Sequence, residues 1–194
     1  MTAVIFFITF LACTAGKICG MGGGVIIKPL MEAISGYSSG TINILSGFAV
    51  IGMSGWSIGK VWVRGESVLK LSTTFPLAAG ACIGGIIGRQ AFSVVRLAFD
   101  SEEFAGILQA LLLFAATFLT LLYIVNKKKI ISMHIENKAI CVVIGLFLGM
   151  TGTFLGIGGG PFNMAVLFFF FSMSAKTAAQ NSLFIILLSQ TAGL

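Results

Sequence analysis

Long apolar stretches divided by short polar joints dominate this sequence and restrict what it can fold into. A bilayer core takes about 20 predominantly apolar residues per helical crossing, and the chain is 57% hydrophobic and only 9% charged. This composition lies outside that of soluble globular domains. We therefore expect an all-α, polytopic transmembrane helical bundle in a lipid bilayer, with crossings at 41–59, 71–88, 104–125, 139–152 and 177–194.

The net charge of +6 comes from cations that lie mostly in the joints. Positive-inside bias accounts for this placement better than nucleic-acid binding does. Two basic clusters flank the spans 71–88 and 104–125, so both are expected on the cytoplasmic face, with the joint 89–103 outside. We thus expect a multi-pass protein of the cytoplasmic membrane with no nucleic-acid partner. The clusters are Lys60, Arg64 and Lys70, and Lys127, Lys128, Lys129 and Lys138.

The sequence resembles itself at a shift of 136 positions. Without a gap, segment 16–24 falls on segment 152–160 and five glycines coincide. The same shift aligns Ser38, Thr41 and Ser46 with Ser174, Thr177 and Ser182. This indicates one transmembrane domain, 1–194, with a first repeat at 1–126 and an incomplete second repeat at 137–194.

The second repeat stops about two spans before the first one does. We expect either an incomplete chain, or a homo-oligomer or a partner chain that completes this repeat. Residues 1–15 correspond to residues 137–151 in the chain interior. The N-terminal segment is therefore expected to belong to the fold and not to be a signal peptide.

The two glycine-rich segments are expected to break their helices. Five glycines in nine residues disfavour a helix, because each costs about 1 kcal/mol relative to alanine. Non-helical backbone at membrane depth must be buried in protein or line a watery cavity. The N–H groups of the helices that follow would then favour an anion. The predicted substrate-binding glycines are Gly22, Gly23 and Gly24, and Gly158, Gly159 and Gly160.

Two alternatives accompany this interpretation. Glycines can also serve close helix packing, which is the preferred explanation for three other sets: Gly55/Gly59, Gly80/Gly84/Gly88 and Gly145/Gly149. Each glycine element is either a re-entrant hairpin, which makes the repeats inverted, or a full crossing, which makes them parallel. The position of Lys176 slightly favours the inverted arrangement.

Polar residues about twenty positions after each break complete the predicted site. Amides and hydroxyls can donate hydrogen bonds to anion oxygens without a fixed charge, and interhelical hydrogen bonding is the alternative role. Lys17 and Lys28 flank the first break and either face the cavity or snorkel to the interface. The polar candidates are Asn43 and Ser46 in the first copy and Thr177 and Asn181 in the second.

Catalytic chemistry has no visible residues in this sequence. The four cysteines are scattered in apolar segments, and their spacing is not that of a metal site. No nucleophile–base pair or pair of carboxylates suggests a reaction. We therefore expect no enzyme activity, no cofactor and no metal.

The pattern resembles the sulfite exporter (TauE/SafE) family of membrane permeases. The halves of that family each carry a Gly-x-Gly-Gly-Gly element, which reads here as 20–24 and 156–160. Pro29 matches the family's proline past the first triplet, and Pro76 with Gly80, Gly84 and Gly88 matches its third span. The second repeat departs from the family pattern, because Ala165 stands at the position that corresponds to Pro29.

The resemblance implies a secondary transporter that moves small anions such as sulfite or sulfonates across the cytoplasmic membrane. The incomplete second repeat suggests a different class, a non-transporting membrane subunit or an inactive fragment that needs a partner with the missing spans.

Overall fold

The computed structural model describes residues 2–65, 67–99, 102–127 and 132–194. Within these ranges the chain forms eight α-helices and no strand. Lys128 and Lys129 of the second basic cluster lie outside the described residues. The helices are α1 (Thr2–Cys19), α2 (Gly24–Ile34), α3 (Ser39–Val63), α4 (Leu71–Ala98), α5 (Glu102–Asn126), α6 (Lys138–Phe154), α7 (Gly160–Phe171) and α8 (Ala175–Gly193).

Three of these helices are long and apolar enough to cross a membrane, namely Ser39–Val63, Leu71–Ala98 and Phe104–Asn126. Shorter apolar helices accompany them, as expected for broken helices. The predicted all-α membrane bundle is thereby confirmed. Its predicted joint at 89–103 is wrong for residues 89–98, because α4 continues to Ala98. No glycine or proline interrupts the chain between Gly88 and Phe99, so the charges at Arg89 and Arg96 lower the hydropathy without ending the helix.

Helices α4 and α6 pack with their backbones in close approach. A Cβ atom added at Gly80 or Gly84 would overlap the α6 backbone at Val142 or Leu146, and one at Gly145 would overlap Leu77. Small residues allow such contact where lipid supplies no hydrophobic drive for helix association. Close packing is therefore confirmed for the Gly80 and Gly145 sets. It is wrong for Gly59, where an added Cβ would meet nothing within 4 Å.

Helix α8 runs parallel to α4 and antiparallel to α3. Along α4, Thr74 donates a hydrogen bond to Asn181 near the start of α8, and Arg89 donates to the carbonyl of Gly193 at its end. The α3–α4 joint also reaches the start of α8, since the Val68 N–H donates to Gln180 Oε1 at 2.9 Å. The start of α8 therefore lies beside the end of α3.

The second glycine element is a hairpin. The N–H groups of Met133 and Ile135, just before α6, donate to the carbonyls of Phe169 and Phe170 at the end of α7, at 2.7 and 3.0 Å. The outer ends of α6 and α7 thus lie on one side of the bundle, and α8 starts there. In the first element, α2 is likewise joined to α3 by a short connection, from Ile34 to Ser39. Because α3 and α8 are antiparallel, the two elements connect to opposite ends of the bundle, as in the inverted arrangement.

Candidate functional site

Both glycine segments interrupt helices as predicted. Helix α1 ends at Cys19 and α2 begins at Gly24, while α6 ends at Phe154 and α7 begins at Gly160. Several glycines between them have positive φ angles, a conformation that side chains with a Cβ rarely adopt. These are Gly20 (68°), Gly22 (70°), Gly156 (67°), Gly158 (76°), Gly159 (99°) and Gly160 (36°).

The two breaks touch each other through reciprocal contacts. A Cβ on Gly24 would lie 2.5 Å from the carbonyl oxygen of Ile157, and one on Gly160 would lie 3.2 Å from that of Met21. Met21 and Ile157 are themselves 136 positions apart. Likewise, a Cβ on Gly20 would overlap Ala179, and one on Gly156 would overlap the side chain of Asn43. Each of these four contacts thus has a counterpart 136 positions away.

Two aliphatic side chains close the contact between the breaks. Ile186 of α8 and Val50 of α3 lie 3.5 and 3.9 Å from the Cβ position of Gly22, and 3.1 and 3.2 Å from that of Gly158. Val50 is 1% exposed and Ile186 is fully buried. The two breaks therefore meet through glycine backbone and aliphatic side chains.

A cavity of about 360 Å³ lies on one side of this contact, and we call it the Arg89 cavity. It opens where α3 starts and α8 ends, and it reaches the second glycine element at Gly156. Both cations in its wall come from the last third of α4. Its lining includes Thr41, Asn43, Arg89, Ser93, Arg96, Thr153, Gly156 and Gln190.

A second cavity, of about 420 Å³, lies at the opposite end of α3 and α8, and we call it the Lys17 cavity. It reaches the first glycine element at Ile18 and Cys19. Its lining includes Lys17, Ile18, Cys19, Ser57, Trp62, Lys176 and Gln180. No Asp or Glu is among the described residues that line either cavity.

Polar side chains of α3 and α8 meet the second break at the inner end of the Arg89 cavity. Ser46, fully buried, donates to the carbonyl of Gly156 at 2.9 Å. Asn43 Oδ1 and Gln190 Nε2 have no hydrogen-bond partner among the described residues. Gln190 Nε2 lies 3.3 Å from the Cβ position of Gly158. Of the predicted residues, Asn43 and Ser46 therefore both contact the second glycine element at Gly156, two residues before Gly158.

Thr177 and Asn181 lie elsewhere. The N–H of Thr177 donates to Ser174 Oγ at 3.3 Å, which caps the start of α8. Asn181 accepts from Thr74 of α4 and donates to the carbonyl of Thr177 at 2.6 Å. The described lining of the two cavities includes neither residue.

The other predicted glycines are packed inside the elements. A Cβ on Gly23, the residue before α2, would lie 3.1 Å from the carbonyl oxygen of Ala12 in α1. One on Gly159 would lie 2.5 Å from Asn163 Oδ1 in α7. The triplets therefore fill the space between the helices, and the cavities flank them.

Lys28 does not snorkel. Its side chain is buried, donates to Gln109 of α5 and to the carbonyl of Leu155 at 2.9 Å, and lies 4.0 Å from Glu32. Cations stabilise the carbonyl end of a helix, so Lys28 holds the end of α6 at the second break. Gln109 is not among the residues predicted from sequence, although it is the one amide side chain in the apolar stretch 104–125.

This chain is similar to known membrane transport proteins. The family model for "Sulfite exporter TauE/SafE" matches residues 5–194. The "Probable membrane transporter protein YunE" of Bacillus subtilis (strain 168) is 24% identical over 212 residues, which cover 98% of this chain and 76% of that protein. No solved structure matches the chain. With its apolar helices and a family match over nearly its whole length, this multi-pass membrane protein belongs to the sulfite exporter TauE/SafE family.

Proposed function

We propose that this chain is a secondary transporter that carries small anions through the centre of the bundle. The observation that carries the proposal is the pair of cationic cavities at opposite ends of the bundle, each next to one glycine element. A cavity lined by charges of one sign concentrates ions of the other sign. Lys17 and Lys176 line one cavity and Arg89 and Arg96 line the other, and the described lining of both cavities contains no Asp or Glu.

The glycine triplets form the barrier in this proposal. Gly22 and Gly158 share the contacts with Val50 and Ile186, and both elements must separate for an anion to pass. Separation would uncover the N-terminal ends of α2 and α7, whose partial positive charge suits an anion at a broken helix. Short helices linked through flexible glycines can make such a movement at low cost.

Asn43 and Ser46 are proposed to receive the anion from the Arg89 cavity. Ser46 donates to the carbonyl of Gly156 in the closed arrangement and can donate to an anion once that element moves. Gly23, Gly24, Gly159 and Gly160 would supply backbone N–H groups on opening. For Thr177 and Asn181, the observed bonds to Ser174 and Thr74 favour the alternative role of securing α8 against α4.

Small sulfur oxyanions are the proposed substrates, and the cytoplasmic membrane is the proposed location. The family description names sulfite, and sulfite and sulfonates share a pyramidal head of three oxygens. Both cavities are wide enough for such a head. Transporters built from broken helices usually work by alternating access, in which the substrate site opens first to one side of the membrane and then to the other.

Counterflow in proteoliposomes tests the proposal. Vesicles with purified protein are loaded with unlabelled sulfite and given trace ³⁵S-sulfite, and a parallel series uses a sulfonate. We expect faster uptake of label than in protein-free vesicles, with dependence on the internal anion. Exchange at the protein-free rate for sulfite, sulfate and several sulfonates, from folded protein, would exclude anion transport by this chain alone.

The second candidate is a subunit that works only with a partner supplying further spans. Phe6 and Phe10 of α1 are 68% and 60% exposed, whereas their counterparts 136 positions on, Val142 and Leu146, pack against α4. A helix like α4 could therefore cover this face of α1. Exchange that appears only after co-reconstitution with a co-purified membrane partner would select this candidate.

A further inference from the structure

We infer that the Arg89 cavity holds a binding site for a doubly charged oxyanion, formed by Arg89, Ser93 and Arg96 of α4 with Gln190 of α8. The inference takes its ligand class from the proposed function, but it concerns equilibrium binding and not movement. None of these residues belongs to the glycine elements or to the site predicted from sequence.

The spacing of the α4 residues places them on one helix face. Residues seven apart on a helix share a face, and a residue four apart lies between them. Arg89, Ser93 and Arg96 follow this spacing, and all three line the same cavity. The stripe therefore places two guanidinium groups, with a hydroxyl between them along the helix, in the lining of one open cavity.

The charge in this cavity favours a dianion. Two fixed positive charges line it, and no Asp or Glu is among its described lining residues. Arginine stays protonated and presents five N–H donors in a fork that matches anion oxygens. Arg89 donates from one terminal nitrogen, Nη1, to the carbonyls of Gly193 and Leu194. The N–H groups on its other two nitrogens can donate to a ligand.

Gln190 supplies an independent indication. Its side chain is 4% exposed, it lines the cavity, and its Nε2 has no hydrogen-bond partner among the described residues. An unpaired buried donor is costly, so such a group suggests a ligand that pairs with it. The group lies next to Gly158, and an anion bound there would sit between the arginines and the glycine barrier.

Equilibrium binding of two matched probes tests the inference. Sulfate and methanesulfonate share three sulfonyl oxygens but carry two charges and one. Their affinities for detergent-purified protein are measured by ³⁵S-sulfate binding and by competition. We expect wild-type protein to bind sulfate more tightly than methanesulfonate. Arg96→Gln should weaken sulfate binding at least about tenfold, the value of one charge-assisted hydrogen bond, and should reduce the preference for sulfate.

Two further variants keep the result interpretable. Ser93→Asp, at an exposed position, places a carboxylate between the arginines and should abolish sulfate binding without disturbing the core. Arg64→Gln removes an exposed charge at the end of α3, away from the cavity, and should leave binding unchanged.

Sulfate binding that is absent from wild-type protein, or unchanged in both Arg96→Gln and Ser93→Asp, would overturn the inference. Arginine-dependent binding in a protein that exchanges no anion would support the site and reject the proposed transport. Exchange that persists at the wild-type rate in Ser93→Asp, with binding lost, would separate the site from the transport route and reject its place on that route.

Discussion

Gly159→Leu is expected to abolish anion exchange while the protein still inserts into the membrane. Gly159 precedes α7 with a φ angle of 99°, where a side chain with a Cβ is strained by about 1–3 kcal/mol. The Cβ would also lie 2.5 Å from Asn163 Oδ1. The start of α7 must therefore shift, and the barrier shifts with it. Gly23→Leu should act similarly from the other element, where the Cβ alone would lie 3.1 Å from the α1 backbone at Ala12 and Cys13.

Gly52→Leu is the matched control for these variants. Gly52 lies in α3, and an added Cβ there meets nothing within 4 Å. Leucine also favours a helix more than glycine does, so exchange should remain at the wild-type level. The amount of protein in the membrane fraction is compared with the rate of ³⁵S-sulfite counterflow for each variant. Wild-type exchange by Gly159→Leu and Gly23→Leu would remove the glycine elements from the transport route.

Lys28→Met is expected to lower the thermal stability of the protein more than the loss of any exposed cation does. Methionine is unbranched and flexible, so it can occupy the space of the lysine chain without its charge. The substitution removes the donor to Gln109 and to the carbonyl of Leu155, both of which lie inside the bundle. Each acceptor left unpaired costs about 1–3 kcal/mol.

Lys60→Met is the control for Lys28→Met, because it removes a lysine at an exposed position near the end of α3. The midpoint of thermal unfolding in detergent is measured for both variants. The double variant Lys28→Met/Gln109→Leu should lose less stability than the two single losses added together, because the residues act as a pair. A wild-type midpoint for Lys28→Met would show that this buried network contributes nothing.

Much of the fold can be predicted from the lengths of the apolar stretches in the sequence. The stretches 41–59 and 104–125 lie inside α3 and α5 as they stand in the structure, since only helices satisfy their backbone groups in lipid. The extension of α4 past Gly88 was not predicted, because hydropathy falls at Arg89 although the helix continues. Charges inside a helix that borders a polar cavity look, in sequence, like charges in a joint.

The candidate site was predictable only in part. The glycine pattern indicated the breaks, and Asn43 and Ser46 indicated the polar wall beside Gly156. Val50, Ile186 and Gln190 could not be identified, because their roles depend on the antiparallel packing of α3 and α8. The residue 136 positions after Asn43 is Ala179, which lies against Gly20, whereas exact repetition of the sequence would have predicted a polar residue there.

Labelling of single cysteines tests the central claim that the two cavities face opposite sides of the membrane. One variant keeps Cys19, an exposed residue in the Lys17 cavity, and replaces Cys13, Cys82 and Cys141 with alanine. The other carries Ser93→Cys in the Arg89 cavity and none of the four native cysteines. Each is treated with a membrane-impermeant maleimide in right-side-out and in inverted vesicles. We expect the two cysteines to react from opposite sides, and reaction of both from the same side would contradict this arrangement of the cavities.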